Sequence, residues 1–145
     1  EYRFPFEEAT FDLVLLLSVL THVGREVELR LLRESCRVLS PNGRIVLTQY
    51  LLDAATRPLT EAGVTNPRFP YGLGEDRTQT PDTPEGFVAR DEAWAKSIWE
   101  LVGLTPISIR PGSWAGPTRP ADEATVRYGF FQDLVILGRR TDGRS

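Results

Sequence analysis

The sequence predicts an α/β fold, and two observations support that prediction. A predicted strand, Phe11 to Leu17, with a continuous apolar run at residues 13–17, precedes an amphipathic stretch, Arg25 to Leu39, and a second predicted strand follows, Arg44 to Gln49. An unbroken apolar run is typical of a parallel strand covered by helices on both faces, whereas a half-exposed antiparallel strand would alternate. Two such strands joined by a helix form a βαβ unit, which excludes an all-α or all-β fold for this half of the chain.

The stretch from Arg25 to Leu39 has the spacing of a helix that packs one face on a sheet. Its apolar residues recur about every three or four positions between arginines and glutamates. They are Val27, Leu29, Leu31, Leu32, Cys36, Val38 and Leu39. Ser40 to Gly43 then combines a proline with residues that tolerate positive φ, which predicts a tight turn before the second strand.

The second half of the chain begins with a long irregular segment. Prolines and glycines interrupt every period between Leu52 and Gly86, and an excursion of this length is typical of a substrate lid or a flexible insertion. A helix is predicted over Arg90 to Val102, followed by strands over Thr105 to Ile109 and Asp133 to Leu137. Residues 139–145 are predicted to form a polar tail.

Composition and charge narrow the class of protein. The chain has 145 residues, of which 41% are hydrophobic and 26% charged, as in an ordinary globular domain. The net charge of −3 disfavours a nucleic-acid partner, because such proteins concentrate lysine and arginine on one face. The sole cysteine, Cys36, lies in the apolar register of the predicted helix and is interpreted as a core residue rather than a nucleophile.

No signal peptide, lipidation site or membrane-spanning segment is visible, so we expect a cytoplasmic protein without a membrane partner. The longest apolar run, Leu13 to Leu17 with Val19 and Leu20, is too short to span a bilayer. The chain contains no methionine and starts at Glu1, which predicts that it is a fragment of a longer protein. One histidine and one cysteine form no recognisable cluster of metal ligands, so no metal is expected.

Two motifs together carry a family resemblance. The first is the anchor Phe4-Pro5-Phe6, then Phe11-Asp12 and its apolar strand, closed by Ser18-Val19-Leu20-Thr21-His22. The second is Arg37-Val38-Leu39-Ser40-Pro41-Asn42-Gly43. They resemble the fourth strand and the Arg-Val-Leu-Lys-Pro-Gly-Gly turn of the class I S-adenosylmethionine (SAM) methyltransferases, with Asn42 in place of a glycine.

Two further segments, Gly112 to Gly116 and Phe131 to Asp133, resemble the closing part of a subgroup of that family. The resemblance implies a Rossmann-like sheet whose last strand is antiparallel, present here as its distal half, and SAM as the cofactor. The family's glycine-rich turn and the acidic residues for ribose and adenine would precede Glu1. We therefore expect residues 1–145 to be a single partial methyltransferase domain that binds SAM poorly by itself.

Candidate cofactor and catalytic residues follow the first strand. Ligands of open α/β sheets bind beyond the carboxyl ends of parallel strands, which places Ser18, Val19 and Leu20 at the cleft as the candidate cofactor-binding residues. His22 follows them and is the candidate catalytic base, since histidine titrates near neutrality. The alternatives are that Ser18 caps the following turn and that His22 is a hydrogen-bonded structural residue.

Candidate substrate-binding residues come from the later strands. Gln49 and Tyr50 follow the second strand, and an antiparallel last strand would bring Gln132 and Asp133 to the same edge. Trp114, from the loop after the preceding strand, would join them. Tyr50 could instead terminate its strand, Trp114 could fill the core, and Asp133 could hydrogen-bond the loop backbone.

Two functions of different classes are compatible with these features. The resemblance implies a SAM-dependent methyltransferase of a small molecule, with residues 52–86 as its lid. Methyl transfer depends mainly on holding the acceptor and the methyl group in line, so no catalytic triad is required. The alternative is a non-catalytic α/β remnant or interaction module that forms a homo-oligomer through an exposed sheet edge. A dehydrogenase ranks lower, because nothing in the sequence suggests a nicotinamide site.

Overall fold

A computed structural model describes residues 3–116 and 130–140 and confirms the α/β fold. The helices are α1 (Arg25–Val38), α2 (Thr56–Glu61) and α3 (Glu92–Leu101). The strands are β1 (Phe11–Leu16), β2 (Leu39–Leu52), β3 (Tyr71–Leu73), β4 (Asp76–Thr78), β5 (Val88–Asp91), β6 (Leu104–Arg110) and β7 (Asp133–Arg139). Single 3₁₀ turns lie at Leu20–His22, Pro84–Gly86 and Ser113–Ala115.

Strand β2 is the centre of the sheet. It runs parallel to β1 and antiparallel to β7, and β6 lies antiparallel on the far side of β7. The order β1-β2-β7-β6 therefore has the antiparallel final strand that the resemblance implies. At its carboxyl end, β2 pairs in parallel with β5, to which β4 and β3 add an antiparallel hairpin.

The segment predicted as a tight turn, Ser40 to Gly43, is an irregularity inside β2. Leu39 already pairs with Phe11, and the next partners are Leu13 and Arg44, so the intervening residues of β2 bulge out of the ladder. A Cβ on Gly43 would lie 2.7 Å from the Leu39 side chain, which explains the glycine. The proline and glycine of this segment therefore form a bulge within β2 rather than a connection between two separate elements.

Helices α1 and α3 contribute to one core cluster, with the face of the sheet that carries Ile45 and Leu47. On the other face, Leu13, Leu15 and Leu17 are exposed by 53%, 54% and 53%. The prediction that helices cover both faces of the first strand is thus wrong for the described residues. Successive side chains of a strand point to opposite faces, so burial by helices on one face leaves alternate leucines in solvent.

The segment from Leu52 to Gly86 contains regular elements that the sequence does not predict. Helix α2 follows β2, and the β3–β4 hairpin extends the sheet beyond β5. Strands of three residues are too short to show a readable alternation. The hairpin is instead anchored by its buried polar residues, Asp76 and Thr78.

The predicted tail at 139–145 begins with the end of β7, and residues 141–145 lie outside the described part of the chain. Cys36 is half-buried against the core, as predicted, and burial raises the pKa of its thiol. No helix within residues 3–116 and 130–140 is both long and apolar enough to cross a bilayer.

Candidate functional site

The end of β1, the middle of β2 and the start of β7 meet at one edge of the sheet. Asp133, the first residue of β7, pairs with Gln49 of β2. The Ser18 backbone N–H donates to Thr48 Oγ1 at 2.8 Å, and Ser18 Oγ donates to Gln132 Oε1 at 3.2 Å. The structure therefore brings two predicted site residues, Ser18 and Gln132, into direct contact.

The backbone of Ser18 is in the left-handed region, with φ of 57°. A residue other than glycine in this region carries strain, and such strain is concentrated at functional sites. The bonds of Ser18 to Thr48 and Gln132 hold it there. Its side chain is exposed at the cleft, so the predicted position of Ser18 at the carboxyl edge agrees with the structure.

Substitutions at Ser18 should separate backbone strain from side-chain contact. Ser18→Val is expected to lower the free energy of unfolding by about 2 kcal/mol, because a β-branched residue fits the left-handed region poorly. Ser18→Gly relieves that strain while losing the bond to Gln132, so its net effect should stay within about 0.5–1 kcal/mol. Urea denaturation monitored by circular dichroism measures both; equal destabilisation by valine and glycine would contradict the strain.

An open cleft of about 550 Å³ lies on the uncovered face of the sheet at this edge. Its lining residues are Leu15, Leu17, Ser18, Val46, Thr48, Phe130, Phe131, Gln132 and Leu134. The volume falls within the range of small-molecule sites, roughly 300–1,000 Å³, and such sites combine an apolar wall with a few convergent polar groups. Here Ser18, Thr48 and Gln132 supply the polar groups.

Tyr50 lies beside the cleft in a cluster of aromatic rings. Its ring centroid is 5.2 Å from Phe69, 5.3 Å from Trp114 and 6.3 Å from Phe131. Burial raises the pKa of the Tyr50 hydroxyl, with a hydrogen bond to Gln132 acting in the opposite direction. The hydroxyl is therefore neutral near pH ~7, where it can donate or accept a hydrogen bond but is not a base.

Asp133 and Trp114 support the site from below. Asp133 is fully buried, and its carboxylate accepts hydrogen bonds from Leu51 N–H at 2.8 Å, Gly112 N–H at 2.7 Å and Trp114 Nε1 at 3.0 Å. Trp114 is buried as well. Both residues hold the loop before β7 against β2, which agrees with the structural alternatives predicted for them. Gln132 connects this support to the cleft, because it lines the cleft and its backbone packs on Gly112.

The remaining predicted residues lie around the cleft without lining it. His22 is exposed, its Nδ1 lies 3.3 Å from the Glu85 carbonyl, and its ring centroid lies 4.9 Å from that of Phe87. Val19 is partly exposed, whereas Leu20 belongs to the core. Gln49 is buried, and its side-chain amide has no hydrogen-bond partner among the described residues.

The chemistry open to this site is binding and orientation. Within residues 3–116 and 130–140, no three metal-ligating side chains come together. Thr48 and Leu134 also line the cleft, although the sequence does not predict them as site residues. Their signal is the alternation along β2 and β7: Val46 with Thr48, and Gln132 with Leu134, share one face.

The groups that line the cleft match part of SAM, the cofactor that the sequence resemblance implies. Hydroxyl and amide groups beside apolar and aromatic walls fit the sulfonium end of SAM, since a ring face attracts a cation. No carboxylate lines the cleft to hold ribose hydroxyls, as far as the described residues show. The residues present thus fit one end of SAM.

Known proteins share features with this chain. Residues 2–47 match the family model of a methyltransferase domain. A Burkholderia thailandensis 1,6-didemethyltoxoflavin-N1-methyltransferase, solved with 1,6-didemethyltoxoflavin and S-adenosylhomocysteine, aligns with a TM-score of 0.56 and 18% identity. The alignment covers 96% of this chain and 48% of that one.

Two archaeal structures have the same fold. A SAM-dependent methyltransferase from Methanosarcina mazei aligns with a TM-score of 0.61 and 16% identity, over 96% of this chain and 64% of that one. A protein from Pyrococcus horikoshii aligns with a TM-score of 0.56 and 15% identity, over 95% of this chain and 56% of that one. The chain thus spans between 48% and 64% of the length of these structures. It is similar to the class I SAM-dependent methyltransferases in sequence over residues 2–47 and in fold over its described residues, which confirms the resemblance predicted from its motifs.

Proposed function

We propose that the protein is a SAM-dependent methyltransferase whose acceptor is a small molecule. The observation that carries this proposal is the cleft at the carboxyl edge of the sheet, where Ser18 and Gln132 are bonded to each other above an apolar wall. Ligands of open α/β sheets bind at this edge, and the fold is that of the methyltransferases.

SAM, when bound, supplies a methyl group on a positively charged sulfur. The chain's own residues then orient the acceptor, since in-line displacement is promoted mainly by near-attack geometry. The amide of Gln132 and the hydroxyl of Ser18 would bind polar atoms of the ligands, and the apolar wall would exclude water. Tyr50, whose ring packs on Phe131, would stay neutral beside Gln132. His22 would act as a base only if the acceptor extends out of the cleft to the Leu20–His22 turn.

The lining favours a flat, largely apolar acceptor with few polar groups. The apolar wall consists of residues from β7 and the segment before it, Phe130, Phe131 and Leu134, and of residues in β1 and directly after it, Leu15 and Leu17. The similar Burkholderia enzyme was solved with 1,6-didemethyltoxoflavin bound, which supports a small-molecule acceptor. The substrate-binding roles of Gln49, Trp114 and Asp133 stay predictions, and the contacts of Trp114 and Asp133 favour supporting roles.

The chain alone is proposed to bind SAM weakly, since its lining offers groups for one end of the cofactor. Calorimetric titration of S-adenosylhomocysteine into this chain and into the complete gene product tests this. We expect measurable binding to the complete product and much weaker binding to the chain. Equal and tight binding to both would show that the chain itself carries the whole cofactor site, and binding to neither would contradict the proposed function.

Substitution of Gln132 tests whether the ligand binds in the cleft. Gln132→Ala in the complete product should weaken ligand binding by about ten- to a hundredfold, because a hydrogen bond to a charged ligand contributes about 1.5–3 kcal/mol. Gln79→Ala is the matched control, since Gln79 lies outside the cleft, beside the loop of residues 63–68. Calorimetry measures both; a loss of the same size in the two variants would remove Gln132 from the binding site.

The exposed leucines in and directly after β1 favour a second candidate, an interaction module that forms a homo-oligomer. Leu13, Leu15 and Leu17 are more than half exposed, and among the described strands β1 pairs only with β2. An unpaired edge with apolar side chains promotes association between chains. Sedimentation equilibrium distinguishes the candidates: a monomer over the micromolar range would rule out this module. The cytoplasmic location stays a prediction.

A further inference from the structure

Arg90, which lies outside the cleft, connects three elements of the fold. Arg90 of β5 is 2% exposed, and its guanidinium donates in three directions. Nη2 donates to the Val23 carbonyl at 2.8 Å, Nε to Glu28 Oε2 at 2.7 Å, and Nη1 to Asp76 Oδ2 at 2.7 Å. These partners belong to the loop after β1, to helix α1 and to the β3–β4 hairpin.

Asp76 is the anchor of the hairpin in this cluster. Besides the bond from Arg90, its carboxylate accepts from Arg25 Nε at 2.8 Å, Arg25 Nη2 at 3.0 Å and Asp91 N–H at 2.9 Å. Burial acts to raise the pKa of Asp76, but the bonds from Arg25, Asp91 and Arg90 outweigh it and hold the pKa below its ordinary value. Asp76 therefore stays ionised at neutral pH.

Glu28 is the weak member of the cluster. It is fully buried, and while Oε2 pairs with Arg90, Oε1 has no hydrogen-bond partner among the described residues. Burial raises its pKa to about 7, with Arg90 and Arg25 acting to lower it and Asp76 acting to raise it. An ionised carboxylate with one unpaired buried oxygen is costly, so a proton or exposure to water relieves the cost.

The segment that follows the hairpin lies against the Leu20–His22 turn after β1. The Leu20–His22 turn contacts the Pro84–Gly86 turn, His22 Nδ1 lies 3.3 Å from the Glu85 carbonyl, and the His22 and Phe87 rings lie 4.9 Å apart. The link between the hairpin itself and the loop that follows β1 is Arg90, which donates to Asp76 and to the Val23 carbonyl.

We propose that Arg90 is a positioning residue that fixes the loop from Leu20 to Val23 to the β3–β4 hairpin, and that the proton on Glu28 controls how firmly it does so. With Glu28 neutral, the cluster keeps the Arg90 bonds to Val23 and Asp76 and buries no unpaired charge. With Glu28 ionised, opening of the hairpin exposes the carboxylate to water. The hairpin thus acts as a lid that opens more readily at higher pH. Its consequence for ligand binding rests on the proposed function, whereas the opening itself does not.

The sign and size of the effect follow from linkage. In the open state Glu28 has its ordinary pKa of 4.5, and in the closed state its pKa is about 7. Between these two pKa values the closed state thus binds more protons than the open state. Its free-energy advantage over the open state is therefore largest below pH 4.5 and is lost as pH rises through about 7. Between about pH 6 and about pH 8.5, the population of the open lid should rise roughly tenfold.

Native-state hydrogen exchange tests this in the chain itself. After correction for intrinsic rates, amides of residues 71–78 and of the loop to Val23 should lose about tenfold protection over that pH range. The core amides of Ile45 and Leu47 exchange through global unfolding, which also exposes Glu28, so they should stay better protected than the hairpin amides at every pH while losing protection by a similar factor. Glu28→Gln should abolish the pH dependence, because the amide cannot ionise. Glu26→Gln, on the exposed side of the same helix, should retain it.

Three results would overturn the proposal. Protection that is constant or that increases with pH would remove the role of the Glu28 proton. A pH dependence that persists in Glu28→Gln would do the same. Arg90→Lys should reduce protection in the loop and hairpin together, so a loss in only one of them would separate the elements. Calorimetry with S-adenosylhomocysteine is scored independently, so failure of the proposed function leaves this test interpretable.

Discussion

Replacing Asp133 with alanine is expected to lower the free energy of unfolding by about 3–5 kcal/mol. The carboxylate is fully buried and accepts bonds from two backbone N–H groups, those of Leu51 and Gly112, and from the Trp114 indole. Alanine leaves all these donors without their acceptor in the interior, and each orphaned donor costs about 1–3 kcal/mol. Denaturation with guanidinium, monitored by tryptophan fluorescence, measures the loss.

Two further variants make this prediction specific. Asp133→Asn keeps one oxygen, which can replace Oδ2 and accept from Leu51 and Trp114, so it should cost about half as much. Asp82→Ala, on an exposed loop, should change stability by less than about 0.5 kcal/mol. A loss as small as that of Asp82→Ala would show that the Asp133 carboxylate does not stabilise the loop.

The elements that the sequence predicts best are those with long periodic patterns. Helix α1 was predicted over Arg25 to Leu39 and ends at Val38, and the strand predicted from Asp133 extends to Arg139. Hydrophobic periodicity over many residues is a strong signal, so errors are limited to the ends. Helix α3 begins at Glu92 because the Asp91 side chain caps it by accepting from Trp94 N–H at 2.8 Å.

The elements that were missed depend on tertiary contacts. The β3–β4 hairpin is short, and Asp76 holds it through arginines that are distant in sequence, Arg25 and Arg90. A buried charge cannot be recognised in one sequence without knowing its partners, since Asp76 looks like an ordinary loop residue. The sequence does not predict the exposed face of β1 for a related reason. An apolar run indicates that a strand favours burial, but it does not show which elements cover each face of the strand.

The sequence predicts at which edge of the sheet the candidate site lies, but it predicts the directions of single side chains less well. Topology brings Ser18 and Gln132 together, because an antiparallel β7 begins where β1 ends. Side-chain direction decides the rest: Leu20 turns into the core and His22 turns toward Glu85. These directions depend on the conformation of the loop, above all on the left-handed Ser18, which no local pattern indicates.

Arg90→Met should destabilise the fold by about 3–5 kcal/mol, since removing one partner leaves a buried charge uncompensated. Glu28 would lose its Arg90 partner entirely, whereas Asp76 would keep Arg25. The loss should therefore be larger above pH ~7, where Glu28 is ionised, than below it. Chemical denaturation at two pH values measures the difference.

The double variant Arg90→Met with Glu28→Gln separates lost packing from unpaired charge. Glutamine removes the orphaned carboxylate, so the double variant should be more stable than Arg90→Met alone, and its stability should no longer depend on pH in this window. Arg30→Met is the matched control, because the exposed Arg30–Glu26 pair contributes less than about 1 kcal/mol. If the second substitution made Arg90→Met worse instead of better, the charge of Glu28 would not be the source of the cost. The destabilisation would then come from the lost bonds of Arg90 to Val23 and Asp76.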